Sequence, residues 1–297
     1  MLQSPLMLRL ILQAHNGKEL PSNLRLEEAM KIYMDHVIVE VENPNGSFIG
    51  RKRFIQAITK QLNKIASDRI NKEDLLQIPA LTEEVLNPQK DSAYVQLLDL
   101  GVLMEEWEDG ECYVRFSFDR FFEYLLSEEI KMKVTSTKDL KGFIERSKEF
   151  KNLKGALNIV LFYLLEAGKQ QLIQDFIDET KESDTEVIEQ MVSFLSLIES
   201  VDKKLLFLFL NEMPKNASKT DHLILSDYSK AVVDIEVREL LVNLLFEIAE
   251  KIDDEKLVAD SVCVKARHLY NLNISEDKVI PMLQKAIKIY KKNHLDI

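Results

Sequence analysis

The dipeptide Asp109-Gly110 stands between two runs in which apolar and polar residues alternate. Asp-Gly favours the positive φ angles of a two-residue hairpin turn, and alternating runs on either side are typical of paired strands. The run after the turn, residues 112–116, reads CYVRF. The pattern therefore predicts a β-hairpin, in a chain whose other segments favour helix.

Helical segments flank the predicted hairpin on both sides. An apolar stripe from Leu97 to Leu103 precedes it, and Phe121, Phe122 and Leu125 share a helical face after it. A helix, a hairpin and a second helix form the outline of a winged helix. In that arrangement the recognition helix spans residues 91–100.

The rest of the chain is long and poor in residues that break helices. Its 297 residues include only eight glycines and seven prolines, and 46% are hydrophobic. Such a composition favours helix, and the length suits roughly two domains. We predict a mainly α fold, with a helical and winged-helix region at 1–134. An irregular α-solenoid of helical hairpins, of the TPR or HEAT kind, follows at 135–297.

Aspartates precede several of the helices predicted in the second region. Asp184, Asp202, Asp234 and Asp253 each stand before a periodic apolar segment, and Ser275 stands before the last one. A short oxygen-bearing side chain at this position accepts hydrogen bonds from the first free amides of a helix. We predict that these five residues are N-caps.

Composition also indicates the compartment. Cys112 and Cys263 are the only cysteines, which suits free thiols in a reducing cytosol better than a disulfide framework. No stretch approaches the roughly 20 apolar residues of a membrane helix, and the N-terminus lacks the pattern of a signal peptide. We expect a cytoplasmic protein with no membrane partner.

Metal and catalytic sites are not indicated by the sequence. The five histidines have no metal-ligand spacing to another histidine or cysteine, and we predict surface or helix-end positions for them: His15, His36, His222, His268 and His294. No nucleophile stands beside a base in any recognisable motif. We therefore expect no metal and no catalytic residue in this chain.

The charge of the predicted winged helix argues against DNA binding. From residue 71 to residue 115 the chain has three basic and eleven acidic residues, a net charge of −8. A recognition helix and wing approach phosphates through Lys and Arg. This segment would repel the DNA backbone, and the alternative is a structural winged helix packed against neighbouring domains.

Two short motifs carry a resemblance to a known family. Residues 4–10 read SPLMLRL, and residues 114–125 read VRFSFDRFFEYL. The first resembles the PLxLxL segment that follows the nucleotide-binding core of STAND-class NTPases, in particular the NACHT-type branch. The second resembles the end of the family's winged helix, where an aromatic-x-His strand precedes an F-x-E-Y/F helix. Phe116, Phe121, Glu123 and Tyr124 match that pattern.

The resemblance implies which residues lie near a nucleotide. Pro5 would lie against it, and Arg115, Ser117 and Phe118 occupy the position that contacts the phosphate of bound ADP. Phe118 stands where the family often has a histidine, so Arg115 or a different contact would replace that hydrogen bond. Arg120 and Glu123 are three residues apart and share a helix face. We predict that they form a structural ion pair.

A second departure from the family is larger. The sequence contains no G-x-x-x-x-G-K-[ST] phosphate loop, whose amides and lysine hold the phosphates. This chain alone is therefore not expected to be an enzyme, and ATP or ADP is expected only with a nucleotide-binding core in cis or in trans. Because the motif around Pro5 lies so close to Met1, we hypothesise that such a core lies upstream or on another chain.

Three hypotheses for the function follow. In the first, the chain is the regulatory half of a STAND-like signalling NTPase: the helical repeats bind a protein trigger and the winged helix relays that event, in prokaryotic antiviral defence. In the second, it is a freestanding helical-repeat adaptor. In the third, it is a winged-helix transcription regulator, which the acidic charge disfavours.

Overall fold

The computed structural model describes residues 12, 26–37, 50–86, 92–181, 184–213, 217–232, 234–274 and 276–292. Pro5, with the rest of the motif at residues 4–10, and Ser275 lie outside these described residues. The chain forms two compact units, Met1–Val134 with Arg146–Val160 and Thr135–Glu145 with Leu161–Ile297. The division into two domains at residue 134 stays a prediction.

The first unit combines helices with three short strands. Its elements are α1 (Leu26–Val37), α2 (Arg51–Ile65), β1 (Arg69–Asn71), α3 (Lys72–Leu75), α4 (Thr82–Leu86), α5 (Ala93–Asp99), β2 (Leu103–Glu108), β3 (Glu111–Phe116) and α6 (Asp119–Ile130). Two further helices, α7 (Thr137–Ser147) and α8 (Lys151–Glu166), contribute residues to both units.

The strands form one antiparallel sheet in the order β1-β3-β2. The predicted hairpin joins β2 to β3, and both turn residues have positive φ, 51° at Asp109 and 86° at Gly110. These angles suit a type I′ turn, which matches the twist of the flanking strands. The strand β1 was not predicted, because three residues are too few for an alternating pattern to be recognised.

The helices around the sheet complete the winged helix. α2 packs against α5 and α6, and α5 packs against β2. The recognition helix predicted at 91–100 is observed as α5, which begins after Ser92, whose hydroxyl accepts a hydrogen bond from the Val95 amide. The mainly α fold with a small hairpin is therefore confirmed.

Aromatic side chains fill the core of the first unit. Phe116 at the end of β3 stacks on Phe122 of α6, with ring centroids 5.1 Å apart. Phe121 meets Tyr33 of α1 edge-on at 5.7 Å, and Phe54 of α2 packs against Tyr94 of α5. All six rings are almost fully buried, so they hold the end of β3 and the start of α6 in place.

The second unit is a series of helices with short connections. These are α9 (Gln170–Asp178), α10 (Thr185–Val201), α11 (Lys203–Glu212), α12 (Lys219–Ala231), α13 (Ile235–Ile252), α14 (Glu255–Asn271) and α15 (Glu276–Lys292). α10 packs against α11 and α12, and from α12 onward each helix packs against the next. This succession of helical hairpins confirms the irregular α-solenoid.

The predicted N-caps have different outcomes. Asp202 accepts a hydrogen bond from the Leu205 amide, and Asp234 accepts two, so both cap their helices. Asp184 stands at the N-cap of α10, but its side chain makes no capping hydrogen bond. The prediction for Asp253 is wrong: it ends α13 with φ of 56°, and Asp254 caps α14 instead. A one-residue choice between adjacent aspartates depends on the backbone path, which the sequence pattern does not contain.

Candidate functional site

The resemblance implies a phosphate contact at the junction between β3 and α6, which consists of Arg115, Ser117 and Phe118. Arg115 extends from β3 between two carboxylates. Its Nε lies 3.5 Å from Oε1 of Glu106 on β2, and its Nη1 lies 3.9 Å from Oδ2 of Asp68. At these distances the contacts are electrostatic, and the buried Nε makes no hydrogen bond within the described part of the chain. Arg115 is thus a loosely held cation.

The other two junction residues act mainly through their backbones. The Ser117 amide donates to the Val102 carbonyl at 3.0 Å, which ties the end of β3 to the start of β2. Phe118 is the N-cap of α6 and accepts a hydrogen bond from the Phe122 amide through its carbonyl, but its side chain contributes no cap. Arg115 is therefore the only junction residue with a charged side chain to offer to a phosphate.

Arg120 and Glu123 form an ion pair on α6. Nη1 of Arg120 lies 2.7 Å from Oε2 of Glu123, and the carboxylate side is 12% exposed against 66% for the arginine. Burial raises the pKa of Glu123, and the nearby Arg120 counters part of that effect. The carboxyl group also lies directly over Gly155 of α8. This arrangement joins two helices and contains no base or nucleophile partner for catalysis.

Two cations, Arg69 of the sheet and Lys72 of the neighbouring helix α3, form short ion pairs. Nη1 of Arg69 lies 2.5 Å from Glu108, and Nζ of Lys72 lies 2.7 Å from Glu105. The hairpin itself has five acidic residues and one basic residue, and α5 has no Lys or Arg. Among the described residues of the sheet and α3, Arg115 alone is therefore a loosely paired cation, which is too little positive charge to hold a DNA backbone.

A partly buried polar network lies beneath the hairpin. The hydroxyl of Tyr94 and Nζ of Lys72 both donate to Oε1 of Glu105, at 2.5 and 2.7 Å. Partial burial alone would raise the pKa of Glu105, but these hydrogen bonds outweigh it and lower the pKa. Burial, with Glu105 nearby, raises the pKa of the Cys112 thiol. Because a thiolate is the reactive form, Cys112 is not an activated nucleophile.

Two histidines of the second unit are buried rather than at the surface, which corrects part of the prediction. His222 lies in the first turns of α12 and His268 in the last turn of α14. Both are near helix ends, as predicted, but neighbouring helices cover them. His36 lies in the last turn of α1, and His15 and His294 lie outside the described residues.

His222 forms a buried hydrogen bond with Ser261 of α14. The Ser261 hydroxyl donates to the Leu257 carbonyl at 2.8 Å, so it accepts from Nε2 of His222 at 3.0 Å. Both side chains are 0% exposed, and burial lowers the pKa of His222. Although the residue types suit hydrolysis, no substrate reaches this pair. It connects α12 to α14 as a structural contact.

Within the described residues no group of three His, Cys, Asp or Glu side chains could hold a metal ion. In the same residues, no helix has the length and apolar character needed to span a bilayer.

One exposed residue was missed by the sequence reasoning. Trp107, the only tryptophan of the chain, is 72% exposed near the tip of the hairpin. A tryptophan between two glutamates, two positions before the turn, was a signal that could have singled it out, because the turn end of a hairpin extends beyond the helices that cover its base.

The chain was compared with models of protein families, with curated proteins and with known structures. No family model matches it, and no curated protein or solved structure does.

Proposed function

We propose that this chain is the regulatory and sensing portion of a STAND (NACHT-like) NTPase in the cytoplasm, acting in prokaryotic antiviral defence. In this proposal the helical repeats bind a protein trigger. The winged helix relays that binding to a nucleotide-binding core, supplied in cis or in trans. The chain itself catalyses nothing.

The observation that carries the proposal is the charge state of the winged helix. Its sheet and the adjoining α3 neutralise their own cations internally, through the pairs Arg69–Glu108 and Lys72–Glu105. A winged helix of this kind is suited to packing against protein rather than reading DNA. The order of elements also supports it: the motif at 114–125 forms the strand-to-helix junction, and helical hairpins follow it.

Arg115 is the residue through which the relay would act. Its contacts of 3.5 and 3.9 Å are longer than those of Arg69 and Lys72, so it is the sheet cation that a phosphate could recruit at least cost. Nucleotide bound at the core would draw Arg115 from Glu106 and Asp68 and hold a closed state. A trigger that favours the open arrangement would release it, as a shift between two populations.

The experiment compares two arginines on the same face of the sheet. Arg69 stands directly opposite Arg115 in the register of β1 and β3. The full-length protein, or the complex with its core, is purified as wild type, Arg115→Ala and Arg69→Ala, and its bound nucleotide is measured. We expect ADP in the wild type and Arg69→Ala, and clearly less in Arg115→Ala.

Two results would count against this proposal, the first against the role of Arg115 and the second against the function itself. Equal nucleotide in all three proteins would mean that Arg115 does not contact the phosphate. If neither the same reading frame nor a neighbouring gene encodes a phosphate loop and acidic-ended strand, the adaptor hypothesis would replace the regulatory one. Binding partners of the repeats would then be sought directly.

A further inference from the structure

A groove of about 360 Å³ lies beside the hairpin, between it and helices α3 and α4. Leu76, Val85 and Cys112 contribute its apolar lining, and the two latter are almost fully buried. Leu86 of α4 and Trp107 of β2 also line it, yet they are 56% and 72% exposed. The groove therefore has a mixed lining with an apolar part, and two large apolar side chains at its edge are open to water.

The position of Trp107 follows from the strand register. It lies opposite Cys112, so the two side chains point to the same face of the sheet. On that face Val114 and Phe116, nearer the base of the hairpin, are buried, whereas Trp107 is not. An exposed tryptophan beside a partly apolar groove is unusual on a surface that stays in water, and tryptophan is enriched at the centres of protein interfaces.

The charges around the groove are mainly negative. Glu73 and Glu111 line it, and Asp109 lies at the turn beyond Trp107, whereas the nearby Glu108 is paired with Arg69. Lys72 also lines it, but its Nζ is bound to Glu105. An acidic rim attracts a basic partner and repels an acidic one.

We propose that this groove binds a basic, apolar peptide segment of a protein partner. One aliphatic or aromatic side chain of the segment enters between Trp107 and Leu86. Lysine or arginine side chains beside it pair with Glu73 and Glu111. A small molecule inside the groove would leave the outer faces of Trp107 and Leu86 in water, whereas a peptide lying across the rim covers both. This site does not depend on a nucleotide-binding core.

Because Trp107 is the only tryptophan, its fluorescence reports on this groove alone. The probe is a short synthetic peptide in which a pair of leucines is flanked by lysines. Two matched peptides replace the lysines with glutamates or the leucines with serines. The full chain is titrated with each. We expect the basic, apolar peptide to shift Trp107 emission to shorter wavelength with saturation, more weakly at high salt, and neither matched peptide to do so.

Variants of the chain then locate the binding site. Each is titrated against the same peptide carrying a fluorescent label, and fluorescence anisotropy measures the affinity. Trp107→Ala should weaken binding roughly 30-fold or more, as expected for an interface hot spot. Met132→Ala, at another exposed apolar residue of the same unit, should leave it unchanged. Glu73→Lys should weaken binding several-fold. Asp74→Lys is its matched control, since Asp74 is adjacent and exposed but does not line the groove.

Several outcomes would overturn the proposal. Binding of the lysine and glutamate peptides with equal affinity would remove the charge argument, and binding of neither apolar peptide would remove the site. Equal effects of Glu73→Lys and Asp74→Lys would show attraction to net charge only. If Trp107 emission instead depends on protein concentration without peptide, in step with dimer formation by sedimentation, a second copy of this chain occupies the groove.

Discussion

The carboxyl group of Glu123 fills the space beside the Cα of Gly155. A Cβ built at Gly155 would lie 2.2 Å from Cδ of Glu123 and 2.4 Å from its Oε2. On the solvent side, Nη1 of Arg120 donates a hydrogen bond of 2.7 Å to Oε2 of the same carboxylate. A side chain at residue 155 and the carboxyl group of Glu123 therefore cannot occupy their places together. The absence of a side chain at Gly155 leaves the space that the Glu123 carboxyl group occupies.

This relationship predicts the effect of Gly155→Ala. Within a helix such a change normally adds roughly 0.5–1 kcal/mol of stability. Here the new methyl group must displace the end of the largely buried, paired Glu123 side chain, which offsets that gain, and we expect a net loss of up to about 1 kcal/mol. Chemical denaturation of the full chain, followed by circular dichroism, measures the change in unfolding midpoint.

Two controls separate the close contact from helix propensity. Gly142 of α7 is also helical, but nothing lies within 4 Å of a Cβ built there, so Gly142→Ala should stabilise the protein. In a Glu123→Ala background, Gly155→Ala should become neutral or stabilising, because the obstacle is gone. A stabilising Gly155→Ala in the wild type would show that the carboxyl group lies elsewhere.

Adjacent aspartates should respond in opposite ways to substitution. Asp254 accepts hydrogen bonds from the amides of Lys256 and Leu257, so Asp254→Ala should cost about 0.5–2 kcal/mol. Asp253 has a φ of 56°, and Asp253→Gly should leave stability unchanged or raise it by up to about 1 kcal/mol. Thermal unfolding of the two variants beside the wild type tests the pair. A reversed order would restore Asp253 as the cap of α14.

The stability of the second unit should depend on the protonation of His222. Burial holds the pKa of His222 below its ordinary value of 6.5, although Asp260 counteracts this. The folded state then takes up a proton less readily than the unfolded state. The contribution of His222 is fully present above pH 6.5 and is lost as the pH falls toward the folded-state pKa, by up to about 1.4 kcal/mol per pH unit.

Comparison with His222→Gln isolates this effect, because glutamine keeps an N–H for Ser261 but does not titrate. The adjacent Asp221 acts in the other direction: burial raises its pKa to about 6, so its contribution is lost as pH rises from 3.8 through 6. The free energy of unfolding is measured for both proteins from pH 7.5 to pH 5. The difference between the two proteins at each pH cancels most of the Asp221 contribution. Parallel stability curves for the two proteins would contradict the assigned protonation behaviour.

The winged helix should not bind duplex DNA. We expect the dissociation constant at physiological salt to be weaker than about 10⁻⁴ M, the upper limit of ordinary non-specific binding. Fluorescence anisotropy with a labelled duplex measures it. A variant with Glu106→Lys, Glu108→Lys and Glu111→Lys should gain salt-dependent binding, which shows that charge was the obstacle. Micromolar, salt-dependent binding by the wild type would instead support a transcription regulator.

How far the sequence predicts this fold depends on the range of each contact. The hairpin at Asp109-Gly110 was predicted correctly because two adjacent residues and their alternating neighbours specify it. The caps at Asp202 and Asp234 are equally local. The strand β1 was missed, since Arg69–Asn71 is extended only because β3 pairs with it. The burial of His222 was missed because its partner, Ser261, is 39 residues away.

The amino-acid sequence by itself therefore determined which segments are helical, where the hairpin turns and how acidic the winged helix is. These properties follow from backbone preferences and composition over a few adjacent residues. Only the tertiary structure decided that Arg115 lies between Asp68 and Glu106, that Glu123 lies over Gly155, and that Trp107 stands beside a groove. Each of those facts depends on the packing of residues far apart in the chain, and local patterns carry no information on which distant side chains meet.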